Sequence, residues 1–139
     1  MAFLIKMENG VVYAITNTIN GWVYFGSTIH EKQRLSRHIR HLRKNKHFNK
    51  RLQADFNEYG EECFTIEVIE RGIHESALHF HERSLIVCYA SENNDRVYNT
   101  SRTPRISEAK RKQLRRQMNA HAYEQLRLPI NDFSSSFNQ

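Results

Sequence analysis

Two tyrosines, an arginine, a histidine and a glutamate are spaced along this chain in a way that suits chemistry on a phosphate diester. Tyr13 and Tyr24 lie eleven residues apart, in Val11-Val12-Tyr13 and Tyr24-Phe25-Gly26. Arg34 and His38 follow, four residues apart, and Glu82 comes much later, in His79-Phe80-His81-Glu82-Arg83. Cleaving a phosphodiester takes an activated water, neutralisation of charge on the phosphate and help for the leaving oxygen. Arg34 offers a fixed two-pronged donor to phosphate oxygens. His38, four residues on, shares a helix face with Arg34 and can donate to phosphate or polarise a tyrosine. A phenol is a poor base at its ordinary pKa of about 10, and a nearby cation lowers that value. Glu82 is the expected metal ligand, because one carboxylate is enough for Mg²⁺ when phosphate oxygens and waters complete its shell. His79 and His81 are two apart on a helix and do not face one another, so zinc is not expected there.

The elements that must position these groups are legible. Val11 to Thr16 is apolar and β-branched, Asn20-Gly21 favours a hairpin turn, and Trp22 to Ser27 reads as the returning strand. Tyr13 and Tyr24 then lie on adjacent strands and can share a sheet face. From Glu31 the period changes: Leu35, Ile39 and Leu42 recur at helical spacing, up to Lys44-Asn45-Lys46. A second helix is expected over about Asn49 to Glu58, stopped by Gly60. Phe64 to Glu70 alternates apolar and polar residues, as a strand with one solvated face would. A third helix is expected from His74 to Tyr89, followed by a polar loop. Ser101 to Pro104 looks like a linker to a basic helix from Glu108 to about Leu126, capped by Ser107, with a mobile tail beyond Pro129. The order ββααβα implies an α+β fold, a small three-stranded, mainly antiparallel sheet flanked by helices, with a C-terminal basic helix. Residues 1–100 form the expected domain and residues 101–139 its appendage.

Charge points to the partner. The net charge is +6, from 21 basic and 15 acidic residues. Between Lys32 and Arg51 there are nine lysines and arginines and no acid. A second cluster holds Arg105, Lys110, Arg111, Lys112, Arg115 and Arg116, offset only by Glu108. Such single-sign patches favour a polyanion, most often nucleic acid. Arg37, Arg40, His41, Lys44, Lys46, Lys50, Arg111 and Arg115 are the expected contacts. No apolar run approaches the roughly 20 residues needed to span a membrane, and the start is too short and too soon charged for a secretory signal. A cytoplasmic protein is therefore expected. Cys63 and Cys88, both in apolar surroundings, are expected to be buried free thiols.

Taken together, these segments resemble the GIY-YIG nuclease family. The resemblance rests on Val11-Val12-Tyr13, then Asn20-Gly21, then Tyr24-Phe25-Gly26, then Arg34 and His38, in that order and spacing. Asn49-Lys50-Arg51-Leu52-Gln53, Tyr59-Gly60-Glu61-Glu62 and Phe64 are similar to members related to phage homing endonucleases, as are Glu82 and Tyr98-Asn99. The resemblance covers roughly residues 10 to 100. It implies that Tyr13 activates water, that Tyr24 acts at the phosphate or leaving group, and that Arg34 holds the scissile phosphate. His38 would be the partner one turn later, and Glu82 would bind the single divalent metal, Mg²⁺ or Mn²⁺. Asn99 would brace the site, His47 would be a further site histidine of the homing-type members, and Gly26 would allow close backbone approach. The departures are Val11, Val12 and Phe25 at strand-core positions of the motif, and Gly10 one position early. The implied substrate is DNA, double-stranded, and the implied setting is a phage protein acting in its host's cytoplasm. One site cuts one strand, so a homodimer is a candidate assembly. The competing reading is a non-catalytic nucleic-acid-binding module on the same scaffold. Ser107 to Lys112 also resembles the start of a small DNA-binding motif of homing enzymes, cut short.

Overall fold

Strand-forming residues fill two early segments and a third after Gly60, and all three meet in one sheet. A computed structural model describes residues 8–100, with Ala109 and Gln113 beyond them. The elements are β1 (Gly10–Asn17), β2 (Val23–Thr28), α1 (Glu31–Arg43), α2 (Lys50–Tyr59), β3 (Phe64–Ile73) and α3 (Leu78–Glu92). The strand order is β2-β1-β3, antiparallel throughout. The fold is thus α+β, as the element order implies. Of the basic helix expected over residues 108–126, only Ala109 and Gln113 are described, both helical; Arg111, Arg115 and the rest of the expected appendage lie outside the described residues.

Alternation along β1 sorts its side chains onto two faces. Val12 and Ala14 join Val23 and Phe25 of β2 and Leu85, Ile86 and Cys88 of α3 in one apolar cluster. Tyr13 and Ile15 join Leu42 of α1 and Leu52 of α2 in another, with Tyr24 packed against it. The sheet is therefore a middle layer, with α3 on one side and α1 and α2 on the other. Tyr13 stands opposite Gly26 and Ile15 opposite Tyr24. The two tyrosines are consequently diagonal neighbours on one face, as expected.

Punctuation in the sequence acts locally. Gly21 takes a positive φ of 76° in the β1–β2 turn, and its N–H donates to the Asn17 carbonyl at 2.9 Å. Gly60 ends α2 with φ 90°. The early Gly10 opens β1, where the pairing with β3 is irregular between Gly10 and Tyr13.

Three expectations need correction. β3 runs on to Ile73, and Glu70 is buried rather than solvated. That side of β3 is covered by α3, whose His81 Nδ1 lies 3.0 Å from the Glu70 carboxylate. The third helix does not start at His74. A 3-10 turn over Glu75–Ala77 intervenes, capped by the His74 side chain, which accepts from the Ser76 N–H. Of the two free thiols, Cys88 is buried but Cys63 is only partly so, because it precedes the edge strand β3.

Candidate active site

Tyr13 is fully buried, and its Oη lies 2.6 Å from His38 Nε2. Nδ1 of His38 lies 2.8 Å from Nε2 of His47, and both rings are almost wholly removed from solvent. Nδ1 of His47 in turn accepts the main-chain N–H of Asn49 at 3.0 Å. A phenol and two imidazoles thus form a continuous hydrogen-bonded chain from β1, through α1, to the start of α2. Tyr24 closes the group, with ring centroids 5.4 Å from His38 and 6.1 Å from His47.

Three local features set this geometry. An added Cβ on Gly26 would overlap the Oη and the ring end of Tyr13, so only glycine lets that ring lie across β2. Helical spacing places His38 one turn after Arg34, whose charge acts to lower the pKa of the Tyr13 hydroxyl. The loop from α1 to α2 returns His47 beneath His38. Its main-chain N–H donates to Gln53 Oε1 at 2.9 Å, and Gln53 Nε2 donates to the Leu42 carbonyl at 3.1 Å.

Electrostatics separates these groups. Burial raises the Tyr13 hydroxyl to a pKa of about 12, opposed by the hydrogen bond and charge of Arg34. Burial also raises Tyr24, helped by Tyr13 and Glu82, so Tyr24 remains a protonated donor at neutral pH. Burial lowers His38 to about 3, reinforced by His47 and Arg34, and lowers His47 to about 4. Both rings are therefore neutral at pH 7.

Glu82 approaches from the other side of the sheet. On α3 it accepts a hydrogen bond from Ser27 Oγ of β2, next to Gly26. Its charge adds to the upward shift of both tyrosines. Asn99 uses its side-chain amide on β2: Oδ1 accepts the Phe25 N–H at 3.0 Å and Nδ2 donates to the Phe25 carbonyl at 2.8 Å. Together with the bond from the Tyr98 N–H to the Val23 carbonyl at 2.8 Å, this pins the outer edge of β2, the edge away from β1. The structure thus gathers Tyr13, Tyr24, Arg34, His38 and His47, brings Glu82 to them across Gly26, and sets Asn99 behind β2.

Residues 9–98 match the family model described as the GIY-YIG catalytic domain. The chain belongs to the GIY-YIG family. It shares 40% identity over 65 residues with intron-associated endonuclease 1 of Enterobacteria phage T4, a match covering 45% of this chain and 26% of that protein. The matched stretch is thus about a quarter of that relative's length. The fold is similar to a mutant of the catalytic domain of intron endonuclease I-TevI, with a TM-score of 0.52 and 28% identity over 68% of this chain and 97% of that one. The described residues thus contain the GIY-YIG catalytic domain.

A divalent cation fits the residues of this GIY-YIG site. Glu82 supplies a hard carboxylate oxygen, while the neighbouring His81 is turned away to Glu70. Among the described residues no three His, Cys, Asp or Glu side chains cluster as a metal cage. A single carboxylate suits Mg²⁺ or Mn²⁺, which keep waters and take phosphate oxygens.

Around the site, Arg37, Arg40, Lys44, Lys46 and Lys50 are exposed and His41 is half-buried. Two other cations of the same run are engaged: Arg43 bonds Glu61 at 2.6 Å, and Arg51 lies 3.7 Å over the Trp22 ring. No helix among the described residues is long and apolar enough to cross a membrane. Sequence reasoning missed Ser27, Asn49 and Gln53. Ser27 directly follows Gly26, and Asn49 is a helix-capping residue type at a helix start, so both carried a local signal. Gln53 carried none, because its partners are set by tertiary contact.

Proposed function

We propose that this protein is a divalent-metal-dependent endonuclease that hydrolyses phosphodiester bonds of double-stranded DNA, of the homing-endonuclease-like kind. The observation that carries the reading is the buried chain from Tyr13 through His38 to His47, ending in a phenol oxygen beside Arg34. Burying three polar rings against one another serves packing poorly.

Arg34 holds the scissile phosphate by two parallel N–H donors. Tyr13 Oη accepts the proton of the attacking water, and Arg34 and the cation lower its pKa toward the working range. Water attacks phosphorus opposite the 3′ oxygen, whose bond to phosphorus breaks, leaving 5′-phosphate and 3′-hydroxyl ends. Tyr24, kept protonated by burial, donates to the phosphate or to the leaving oxygen. A divalent cation on Glu82 would neutralise the negative charge that develops there. The exposed cations of the α1–α2 run, Arg37, Arg40, Lys44, Lys46 and Lys50, contact the DNA backbone without reading sequence. One such site cuts one strand, so double-strand breaks come from a homodimer or from two successive nicks.

Supercoiled plasmid with Mg²⁺ or Mn²⁺ tests this reading. Wild type is expected to nick or linearise it, with Glu82→Ala and Arg34→Ala slower by roughly 10²–10³-fold. Equal cleavage by all three rejects the site assignment. Salt-sensitive DNA binding without cleavage under either metal would favour the binding-module reading.

A further inference from the structure

The hydrogen-bonded chain has a direction, and that direction is set at one end by an atom that can only donate. The main-chain N–H of Asn49 points at His47 Nδ1 from 3.0 Å, so that nitrogen carries no proton. A neutral His47 then holds its proton on Nε2 and donates it to His38 Nδ1 at 2.8 Å. A neutral His38 holds its proton on Nε2 and donates to Tyr13 Oη at 2.6 Å. The reverse order would set the Asn49 N–H against an Nδ1–H, donor against donor. A charged ring would have to survive with both imidazoles buried side by side, their centroids 5.0 Å apart and near-parallel.

We propose that the start of α2 sets the direction of proton donation across the site: the Asn49 main-chain N–H fixes the tautomers of His47 and His38, so that His38 donates to Tyr13 and cannot accept its proton. Asn49 and Gln53 are then positioning residues. Both are buried and bound on several sides. The Asn49 side chain accepts the Leu52 N–H at 3.0 Å and donates to the Tyr98 carbonyl at 2.7 Å. Gln53 fixes the His47 main chain and also donates to Asn57 Oδ1 at 2.9 Å. The consequence for catalysis rests on the nuclease reading; the tautomers do not. Tyr13 Oη receives the His38 N–H, and the charge of Arg34 lowers its pKa against the larger effect of burial. Its own proton therefore does not pass into the histidines.

Long-range ¹H–¹⁵N correlation spectra of the imidazoles in the full chain at neutral pH test the direction without any substrate. Both His38 and His47 are expected as neutral Nε2–H tautomers. A neutral Nδ1–H form or a charged ring at either position overturns the proposal. One variant then separates the main-chain donor from the side chain. Asn49→Ala loses the bonds to the Leu52 N–H and the Tyr98 carbonyl but keeps the main-chain N–H. Both Nε2–H tautomers are expected to persist in it. Mixed or reversed tautomers at His47 in Asn49→Ala would overturn the main-chain assignment. Cleavage by a wild type with reversed tautomers rejects the relay alone. Expected tautomers in a wild type that does not cleave support the relay and reject the nuclease reading.

Discussion

The two faces of one sheet do different work. Under α3, Val12, Ala14, Val23 and Phe25 meet leucine, isoleucine and valine side chains, with His81 and Glu70 at the margin. Under α1 and α2, the very next residues of the same strands, Tyr13 and Tyr24, meet an arginine and two histidines. The first face gains free energy from apolar area removed from water, which is non-directional and tolerant of similar shapes. The second depends on donors and acceptors whose partners are each specified, and leaving one unpaired is costly. The second face keeps apolar packing of its own at Ile15, Leu42 and Leu52 and adds buried polar groups in an arrangement that packing alone would not select. Gly26 and Glu82 are where the two sides communicate.

Gly26→Ala should break the contrast most severely, because its methyl group would occupy the space of the Tyr13 hydroxyl. β2 is pinned by β1 on one side and by Asn99 on the other, so it cannot shift away. Single-turnover cleavage is expected to fall about a hundredfold or more, and urea unfolding to show a loss of about 1–3 kcal/mol from overpacking. Leu85→Ala should sharpen the contrast from the opposite face. Leu85 is 1% exposed in the apolar cluster, so unfolding should cost about 2–5 kcal/mol less, with kcat per folded molecule unchanged. A kcat loss matching that of Gly26→Ala would show that the faces are not separable.

Acid should act on the site face. The unfolded chain protonates histidine near 6.5, whereas the fold holds His47 neutral to about 4 and His38 to about 3. Between those values the unfolded state binds more protons, so stability falls as pH falls from 6.5 and levels off below about 3. Thermal midpoints recorded across that window should drop for wild type and less steeply for His47→Gln. Equal slopes would mean that the rings are not buried neutral. The smallest effect is expected from Asn99→Ala, which removes two bonds to the Phe25 main chain at a half-buried edge. A loss of about 1–2 kcal/mol and a modest fall in kcat are expected, read by denaturation and cleavage on the same preparation.

Much of this was legible in the chain. The hairpin, the helix periods and the stop at Gly60 are local signals, and local signals survive folding. Tyr13, Tyr24, Arg34, His38 and Glu82 stood out by type and spacing, and the family resemblance added His47 and Asn99. The rest depended on which distant segments meet. Nothing near Glu70 announces that α3 will cover it and supply His81. Nothing near Gln53 announces that its amide will hold a histidine loop. Asn49 read as the start of a helix, and only the tertiary fold turned its main-chain N–H toward His47.

The central claim is that the phenol oxygen of Tyr13 takes a proton during phosphodiester cleavage. Tyr13→Phe keeps the ring and the fold and removes only that oxygen, leaving His38 without its partner. Single-turnover cleavage of supercoiled DNA with Mg²⁺, compared between wild type and Tyr13→Phe at equal folded concentration, tests it most directly. The expected result is a rate lower by about 10²–10⁴-fold with DNA affinity retained. A Tyr13→Phe enzyme that cleaves at the wild-type rate would contradict it.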